Sequence, residues 1–210
     1  MENNNNIQND NSTGNSKTTN VRVLTVTAMM IAISAVLQYL EFGIPFVPGF
    51  IKLDFSDLPA LIGSFALGPV SGIIIALGKN LLHCLVSQSA TVGELANFIL
   101  SCAFVVPAGV IYKLKKTRSR ALWGSVVGAV VAALISVPSN YFIVYPFYAA
   151  VYMPMDTIIA MYQAIRPSTD SLLEALLVFN LPFTFCKDMI VVVITALVYK
   201  RISPILHGRK

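Results

Sequence analysis

Residues 121–148 read ALWGSVVGAVVAALISVPSNYFIVYPFY, a run of 28 residues without a charged side chain. A helix of about 20 apolar residues crosses the roughly 30 Å hydrocarbon core of a lipid bilayer, because each residue adds about 1.5 Å. The stretch therefore predicts a helix that spans a membrane.

The composition of the whole chain supports this prediction. Of the 210 residues, 56% are hydrophobic and only 12% are charged, whereas soluble domains carry about 25% charged residues. So few charges argue against a water-soluble enzyme, a nucleic-acid binder or a secreted disulfide scaffold. The three cysteines lie inside apolar stretches without metal-ligand spacing, so we expect them to pack as small hydrophobic residues. They are Cys84, Cys102 and Cys186.

Apolar segments divide the chain into six predicted helices. The second is short, and Gly68-Pro69 separates it from the third, which predicts a helix–turn–helix. We expect an all-α integral membrane protein with six transmembrane helices and a structured extracellular loop between the first two. The segments fall at about 21–40, 58–67, 69–86, 94–114, 121–148 and 172–199.

The two ends of the chain differ from this apolar middle. Residues 1–20 are rich in asparagine and nearly free of apolar side chains, which predicts a disordered tail. No cleavage site follows the first apolar run, so we expect that run to stay in the mature protein. The predicted organisation is a polar tail over 1–20, a membrane domain over 21–203 and a basic tail over 204–210.

The distribution of basic residues predicts the orientation in the membrane. Lysines and arginines crowd residues 113–120, between the fourth and fifth helices, and they recur after the last helix. Short loops rich in these residues stay in the cytoplasm. Six spans in a cell membrane, with both termini cytoplasmic, satisfy this rule.

Polar side chains inside the predicted spans indicate a pocket. Asn180, Thr184 and Lys187 are spaced i, i+4 and i+7, so they form one stripe of the sixth helix. A lysine at bilayer depth costs about 3 kcal/mol unless it is paired or lines a cavity. Two interpretations of Lys187 stay open, namely a ligand contact and an internal partner, either the neighbouring Asp188 or a group on another helix.

Two further features fit a pocket. Lys79, Asn80 and His83 share one face of the third helix, where His83 is either a packing hydrogen bonder or a ligand contact. The segment 41–57 reads EFGIPFVPGFIKLDFSD, with prolines for rigidity and four phenylalanines for stacking. We expect it to be a lid over a cavity, although a loop dipping into the lipid headgroups would have a similar composition.

Catalytic signatures are missing from the sequence. It contains no Walker A motif, no GxSxG and no HExxH. We therefore expect neither an enzyme nor a bound cofactor. A transporter without a nucleotide site, internal repeats or an acid relay would need partners to drive it.

A series of motifs closely resembles the riboflavin-specific S components of energy-coupling factor (ECF) transporters. The resemblance covers residues 28–113, with a looser correspondence over 138–190. The motifs are IKLDFSDLPA at 51–60, LIGSFALGPVSG at 61–72, KNLLH at 79–83, GELANF at 93–98 and VVPAGVIYK at 105–113.

The resemblance implies a six-helix subunit that binds riboflavin on the extracellular side, beneath the first loop. It implies two kinds of partner, a transmembrane coupling protein and a pair of ABC-type ATPases. The small residues Ala28 and Ala32 of the first helix, with Ala35 close to the same face, resemble the contact for the coupling protein. Packing inside the chain is the alternative for this alanine strip.

The predicted riboflavin site combines that resemblance with the polar stripe. Thr184 stands where family members often carry asparagine, and Asn180 lies one turn earlier. The predicted contacts are Glu41, Phe42, Gly43, Phe46, Leu53, Asn97, Asn140, Thr184 and Lys187. The alternatives are an S component for another flat vitamin or heterocycle, and a structural membrane protein that transports nothing.

Overall fold

The computed structural model describes residues 7–45, 47–87 and 91–207, and within these ranges it describes side chains from Val21 to Val198. Helices dominate this part of the chain. They are α1 (Ile7–Tyr39), α2 (Asp57–Leu67), α3 (Pro69–His83), α4 (Val92–Leu114), α5 (Arg118–Ser139), α6 (Tyr145–Val151), α7 (Met155–Gln163), α8 (Leu172–Ala175) and α9 (Leu181–His207). Two short strands, β1 (Phe42–Gly43) and β2 (Lys52–Leu53), lie between α1 and α2.

Five helical stretches of the described chain are long and apolar enough to cross a membrane. They are Val21–Tyr39, Pro69–Val86, Val92–Leu114, Arg118–Val151 and Leu172–Val198. The remaining predicted segment corresponds to α2, whose 11 residues extend only about 16 Å at 1.5 Å per residue. The helical, multi-pass membrane character predicted from composition is confirmed, but the count of six transmembrane helices is not, since five stretches of the described chain reach membrane length.

Helix α1 begins inside the segment that the sequence predicts to be disordered. It starts at Ile7, whereas its apolar, membrane-length part starts at Val21. Extending an existing helix costs far less than nucleating one, so the apolar part can carry helical structure back into the polar residues.

The predicted helix–turn–helix between α2 and α3 is present. Gly68 takes a positive φ of 107°, a conformation open to a residue without a Cβ. Its backbone N–H donates to the carbonyl oxygen of Ser64 and so ends α2, while Pro69 begins α3. The turn folds the short α2 back against α3.

The tightest packing joins α4 and α5 through small residues. A Cβ built on Gly124 would lie 2.9 Å from the carbonyl oxygen of Ala108, and one on Gly128 would overlap the carbonyl oxygen of Phe104. Glycine at these two places lets the helix backbones approach closely. We call this contact the α4–α5 seam. Around it lies one apolar cluster, which includes Ala129 and Ala132.

Two π-helical turns interrupt the helices of the bundle. One spans Asn140–Val144, between α5 and α6, and the other spans Leu176–Asn180, between α8 and α9. Such wide turns often occur at functional sites. A second apolar cluster, built around Tyr145, Ile158 and Tyr162, fills the space between them. Helix α7, which carries Ile158 and Tyr162, was not predicted from the sequence.

Candidate functional site: a cavity under the α1–α2 loop

A cavity of about 660 Å³ lies beneath the loop that joins α1 to α2. Volumes of this order are typical of pockets for small-molecule ligands. The cavity is lined by the C-terminal end of α1, the loop, the facing ends of α3 and α4, the first π turn with α6, and the first turns of α9. Several helices and one loop therefore converge on the same space.

The loop folds over the cavity as a small antiparallel ribbon. Phe42 pairs with Leu53, and Gly43 pairs with Lys52. The Lys52 ammonium also bonds the Glu41 carboxylate across the ribbon. Both of these charged residues line the cavity. The expectation that this loop covers a cavity agrees with this packing.

Phe50 holds the middle of the loop against a group of tyrosines. Its ring meets those of Tyr145, Tyr148 and Tyr162 edge to face, with centroids 6.0, 6.4 and 6.0 Å apart. Such T-shaped contacts each add stability beyond the burial of area. Phe50, Tyr145, Tyr148 and Tyr152 give the cavity one aromatic wall.

The opposite wall contains a buried cluster of charges. The Lys187 ammonium lies 2.8 Å from an Asp54 carboxylate oxygen and 3.6 Å from one of Asp57. The Lys79 ammonium lies 2.7 Å from the other oxygen of Asp57 and donates to Ser56 at 2.6 Å. Buried charges persist only when paired and hydrogen-bonded. This cluster therefore ties the loop and α2 to α3 and α9.

Asp54 connects the loop to this cluster of charges. The backbone N–H of Ser56 donates to it at 2.8 Å, in addition to Lys187. Burial raises the pKa of Asp54, but the positive charges of Lys187 and Lys79 outweigh it, so that the pKa lies well below its ordinary value. Asp54 is thus a carboxylate at neutral pH.

The proposed partner of Lys187 within its own helix is wrong. The ammonium pairs with Asp54, which lies 133 residues away in sequence, and not with the adjacent Asp188. Consecutive residues on a helix point about 100° apart, so they do not face each other. The alternative of a partner on another element is confirmed, because Lys187 joins α9 to the loop. The ligand contact stays a prediction, and Lys187 does line the cavity.

Five of the predicted site residues come together in the cavity wall. They are Glu41, Asn97, Asn140, Thr184 and Lys187. Phe42 and Gly43 are outside the wall, and Phe42 is 49% exposed. Leu53 points away from the cavity between Lys52 and Asp54, as strand alternation requires, and it is only 5% exposed. Phe46 lies outside the described residues.

A second polar network borders the aromatic wall. Tyr162 donates to the Asn180 side-chain oxygen at 2.7 Å, Asn180 donates to Tyr145 at 3.3 Å, and the two tyrosine hydroxyls bond each other. Burial and the neighbouring Tyr145 raise the pKa of Tyr162 far above its ordinary value. This hydroxyl is therefore neutral and serves to fix Asn180.

Two asparagines keep hydrogen-bonding capacity toward the cavity. The Asn140 amide nitrogen donates to the Ser136 carbonyl at 2.8 Å, which leaves its second N–H and its oxygen. The Asn97 oxygen accepts from Ser101 at 3.3 Å, which leaves the amide nitrogen. Both can therefore donate to a ligand.

Sequence reasoning missed several residues of the wall. Glu94, predicted only as part of a helix start, bonds the His83 ring at 2.8 Å and the Ser87 hydroxyl at 2.8 Å. His83 is thus a packing hydrogen bonder that also lines the cavity. The tyrosines of α6 were not predicted to line a site, because aromatic residues are common in membrane helices and their presence alone does not indicate a ligand.

The alanine strip of α1 faces outward only in part. Ala28 and Ala32 are exposed on the surface of the bundle, whereas Ala35 is buried. Ala35 therefore does not share the face of the other two. The exposed pair is free of internal packing and forms a surface of small side chains.

Known proteins match nearly the whole chain. A family model described as "ECF transporter, substrate-specific component" matches residues 22–199. "Riboflavin transporter RibU" of Staphylococcus aureus (strain TCH60) is 33% identical over 187 residues, which cover 89% of this chain and 93% of the relative. "Riboflavin transporter FmnP" of Bacillus subtilis (strain 168) is 28% identical over 194 residues, covering 90% of this chain and 96% of the relative.

The fold matches a solved structure as well. "Structure and mechanism of the S component of a bacterial ECF transporter" describes a chain that aligns with a TM-score of 0.71 at 33% sequence identity. The alignment covers 90% of this chain and 98% of that one.

Proposed function

The chain belongs to the family of substrate-specific components of ECF transporters, and on this basis we propose that it captures riboflavin for an ATP-driven importer. The protein is therefore a component of a membrane transporter and not an enzyme. Riboflavin is its transported ligand and not a cofactor. Two of its relatives are named riboflavin transporters.

The observation that carries this proposal is the cavity with two unlike walls. Phe50 and the tyrosines of α6 supply aromatic surface, while Lys187, Asn97 and Asn140 supply hydrogen-bond donors. Riboflavin has a flat ring with an apolar edge and a pyrimidine edge that carries carbonyl acceptors. Aromatic stacking and a few placed donors are how such ligands are held.

Lys187 is the donor with the greatest expected effect on affinity. Riboflavin has about 27 non-hydrogen atoms, so about 0.3 kcal/mol per atom gives only about −8 kcal/mol, or micromolar binding. A charge-assisted hydrogen bond adds about 1.5–3 kcal/mol. Lys187 has three N–H donors, of which one reaches Asp54 and one lies near Asp57. The third is available to the ligand.

Binding is tested by flavin fluorescence. The full chain, purified in detergent, is titrated into riboflavin, and quenching is compared with the binding of thiamine and folate measured by calorimetry. We expect saturable quenching by one riboflavin per chain and no binding of the other two vitamins. Binding of another flat vitamin in place of riboflavin would reassign the substrate, and binding of none would favour a structural membrane protein.

Delivery of the vitamin needs partners, which we propose are a membrane coupling protein and two ATPases. Ala28 and Ala32 would contact the coupling protein, since small exposed residues allow close helix approach. We expect Ala28→Trp to block riboflavin uptake in cells that hold the complete transporter, while purified protein still quenches riboflavin. Met29→Trp, on an exposed position about 100° around the same helix from Ala28, is the control. Equal loss of uptake and binding in Ala28→Trp would place the alanine inside the fold.

The proposed topology has six membrane-embedded helices, with α2 as a half-length span. The loop over the cavity then faces the outside, and both chain ends and residues 113–120 face the cytoplasm. A single cysteine placed at Lys116 in a cysteine-free variant tests this orientation. We expect an impermeant reagent to label it only in broken cells, and labelling of intact cells would reverse the topology.

A further inference from the structure

The turn between α4 and α5 carries a concentrated group of positive charges. Residues 113–120 read KLKKTRSR, and we call them the basic segment. Every residue of this segment is exposed. Within the described part of the chain, its basic side chains form no ion pair. They are Lys113, Lys115, Lys116, Arg118 and Arg120.

Basic side chains elsewhere in the molecule are matched by carboxylates. The pairs are Lys52 with Glu41, Lys79 with Asp57, Lys187 with Asp54, and Arg166 with Glu174. Between Glu94 and Asp156 the sequence contains no acidic residue, so the basic segment also has no acidic neighbour along the chain. Its counterions therefore come from its surroundings.

The basic segment lies at the depth of lipid headgroups. The part of α4 from Glu94, at the cavity, to Lys113 rises about 28 Å at 1.5 Å per residue. The hydrocarbon core of a bilayer is about 30 Å thick. Only residues 115–117 join α4 to α5, so this short connection holds the charges close to the membrane surface on the side opposite the cavity.

Exposed apolar side chains flank the basic segment on both helices. Leu114 is 74% exposed, Leu122 is 51% exposed and Trp123 is 66% exposed. Tryptophan is enriched at the membrane interface, and Trp123 lies three residues after Arg120, on the same face of α5. Cations next to exposed apolar side chains match a phospholipid, which has a phosphate at one end and acyl chains behind it.

We propose that the basic segment binds the phosphates of anionic phospholipids, while Leu114, Leu122 and Trp123 pack on the acyl chains of the same lipids. Clusters of four to eight lysines and arginines beside a membrane span attract anionic headgroups. Lysine and arginine donate charge-assisted hydrogen bonds to phosphate oxygens. The lipid site lies at the end of the bundle away from the cavity, so it does not depend on riboflavin binding.

Trp123 allows a direct test, because it is the only tryptophan in the sequence. The full chain is reconstituted in vesicles of equal parts phosphatidylcholine and phosphatidylglycerol. Only one of the two lipids carries bromine on its acyl chains, where it quenches tryptophan on contact. We expect brominated phosphatidylglycerol to quench Trp123 more strongly, which corresponds to a preference of at least about threefold. Concentrated salt should reduce this preference, since it screens exposed charges.

Variants assign the preference to the basic segment. Lys115→Gln/Lys116→Gln removes two exposed charges and should lower the preference by about twofold or more. Lys115→Arg/Lys116→Arg keeps both charges and should retain the wild-type preference. Arg166→Gln removes a cation that lies outside the segment, after α7, and should also leave the preference unchanged.

Two results would overturn the proposal. One is equal quenching by the two brominated lipids in the wild-type chain, and the other is an unchanged preference in Lys115→Gln/Lys116→Gln. If this variant instead loses only its association with the coupling protein, the basic segment is a protein contact and the lipid site is wrong. Riboflavin titration of the same variants keeps the two proposals separate, because binding in the cavity should be unaffected by these substitutions.

Discussion

Along the helical stretch from Arg118 to Val151, the half that packs on α4 differs from the half that borders the cavity. In the first half, Gly124 and Gly128 bring two backbones into contact, and the neighbouring space is filled by alanine and phenylalanine. In the second half, Asn140 opens a π turn, and polar groups and tyrosines surround empty volume. One continuous helical stretch therefore packs closely against α4 in its first half and lines a cavity in its second half.

The comparison shows what holds a membrane protein together where apolar burial does not. Lipid tails are as apolar as leucine, so helices associate through close packing and interhelical hydrogen bonds. The α4–α5 seam relies on shape, and the cavity wall relies on paired charges. A change of volume should therefore damage the seam, whereas a change of charge should damage the wall.

The largest expected effect is the loss of Lys79, which stabilises the wall without lining the cavity. Its side chain is fully buried and bonds Asp57. Lys79→Met should lower the free energy of unfolding by about 3–5 kcal/mol, because it leaves a buried carboxylate short of a partner. Thermal unfolding in detergent measures this loss. Leu81→Met, at an exposed site of the same helix, is the control, and equal melting temperatures would refute the role of the pair.

A volume change in the seam comes next. Gly128→Leu forces a side chain into the space of the Phe104 carbonyl, and overpacking of this kind costs about 1–3 kcal/mol or more. We expect a lower melting temperature, with riboflavin affinity retained in the folded fraction. The exposed neighbour variant Val127→Leu should be neutral. A seam that tolerates Gly128→Leu as well as it tolerates Val127→Leu is not close-packed.

Lys187 sharpens the comparison because it serves both stability and binding. Lys187→Met should weaken riboflavin binding by about tenfold, or about 1.4 kcal/mol, and should also destabilise the protein by leaving Asp54 unpaired. The double variant Asp54→Asn/Lys187→Met removes both charges. It should recover much of the stability and none of the affinity. Recovery of affinity in the double variant would remove Lys187 from the ligand site.

The smallest effect concerns Asn97, a neutral donor in the wall. Asn97→Ala should weaken riboflavin by about threefold to tenfold, since a neutral hydrogen bond contributes about 0.5–1.5 kcal/mol. Leu95→Ala, on the exposed side of α4, controls for changes to the helix. Quenching titrations of the two variants give the comparison, and identical Kd values would mean that Asn97 does not touch the ligand.

The sequence predicted those parts of the molecule that depend on local pattern. Long apolar runs predicted the spans, and i, i+4, i+7 spacing correctly placed Thr184 and Lys187 on one stripe of the cavity wall. The Gly68-Pro69 turn followed from the conformational limits of these two residues. Each of these inferences uses residues that are close in the chain.

Contacts between distant segments were beyond the reach of such patterns. Lys187 meets Asp54 across 133 residues, and Phe50 meets Tyr145 and Tyr162 through the folding of a loop. Asp188 was the one internal partner of Lys187 that the sequence could name, because it is adjacent in the chain, whereas a partner on another helix could not be identified by residue. That one buried carboxylate oxygen of Asp188 lacks a partner among the described residues likewise becomes visible only when the surrounding helices are in place.

The most direct measurement is a riboflavin titration of a chain whose cavity has been filled. Thr184 is buried in the wall, and Thr184→Trp would place an indole ring in the cavity. Val193→Trp puts the same ring on an exposed position of the same helix. We predict that wild type and Val193→Trp quench one riboflavin per chain, while folded Thr184→Trp quenches none. Undiminished quenching by Thr184→Trp would show that riboflavin does not bind in this cavity.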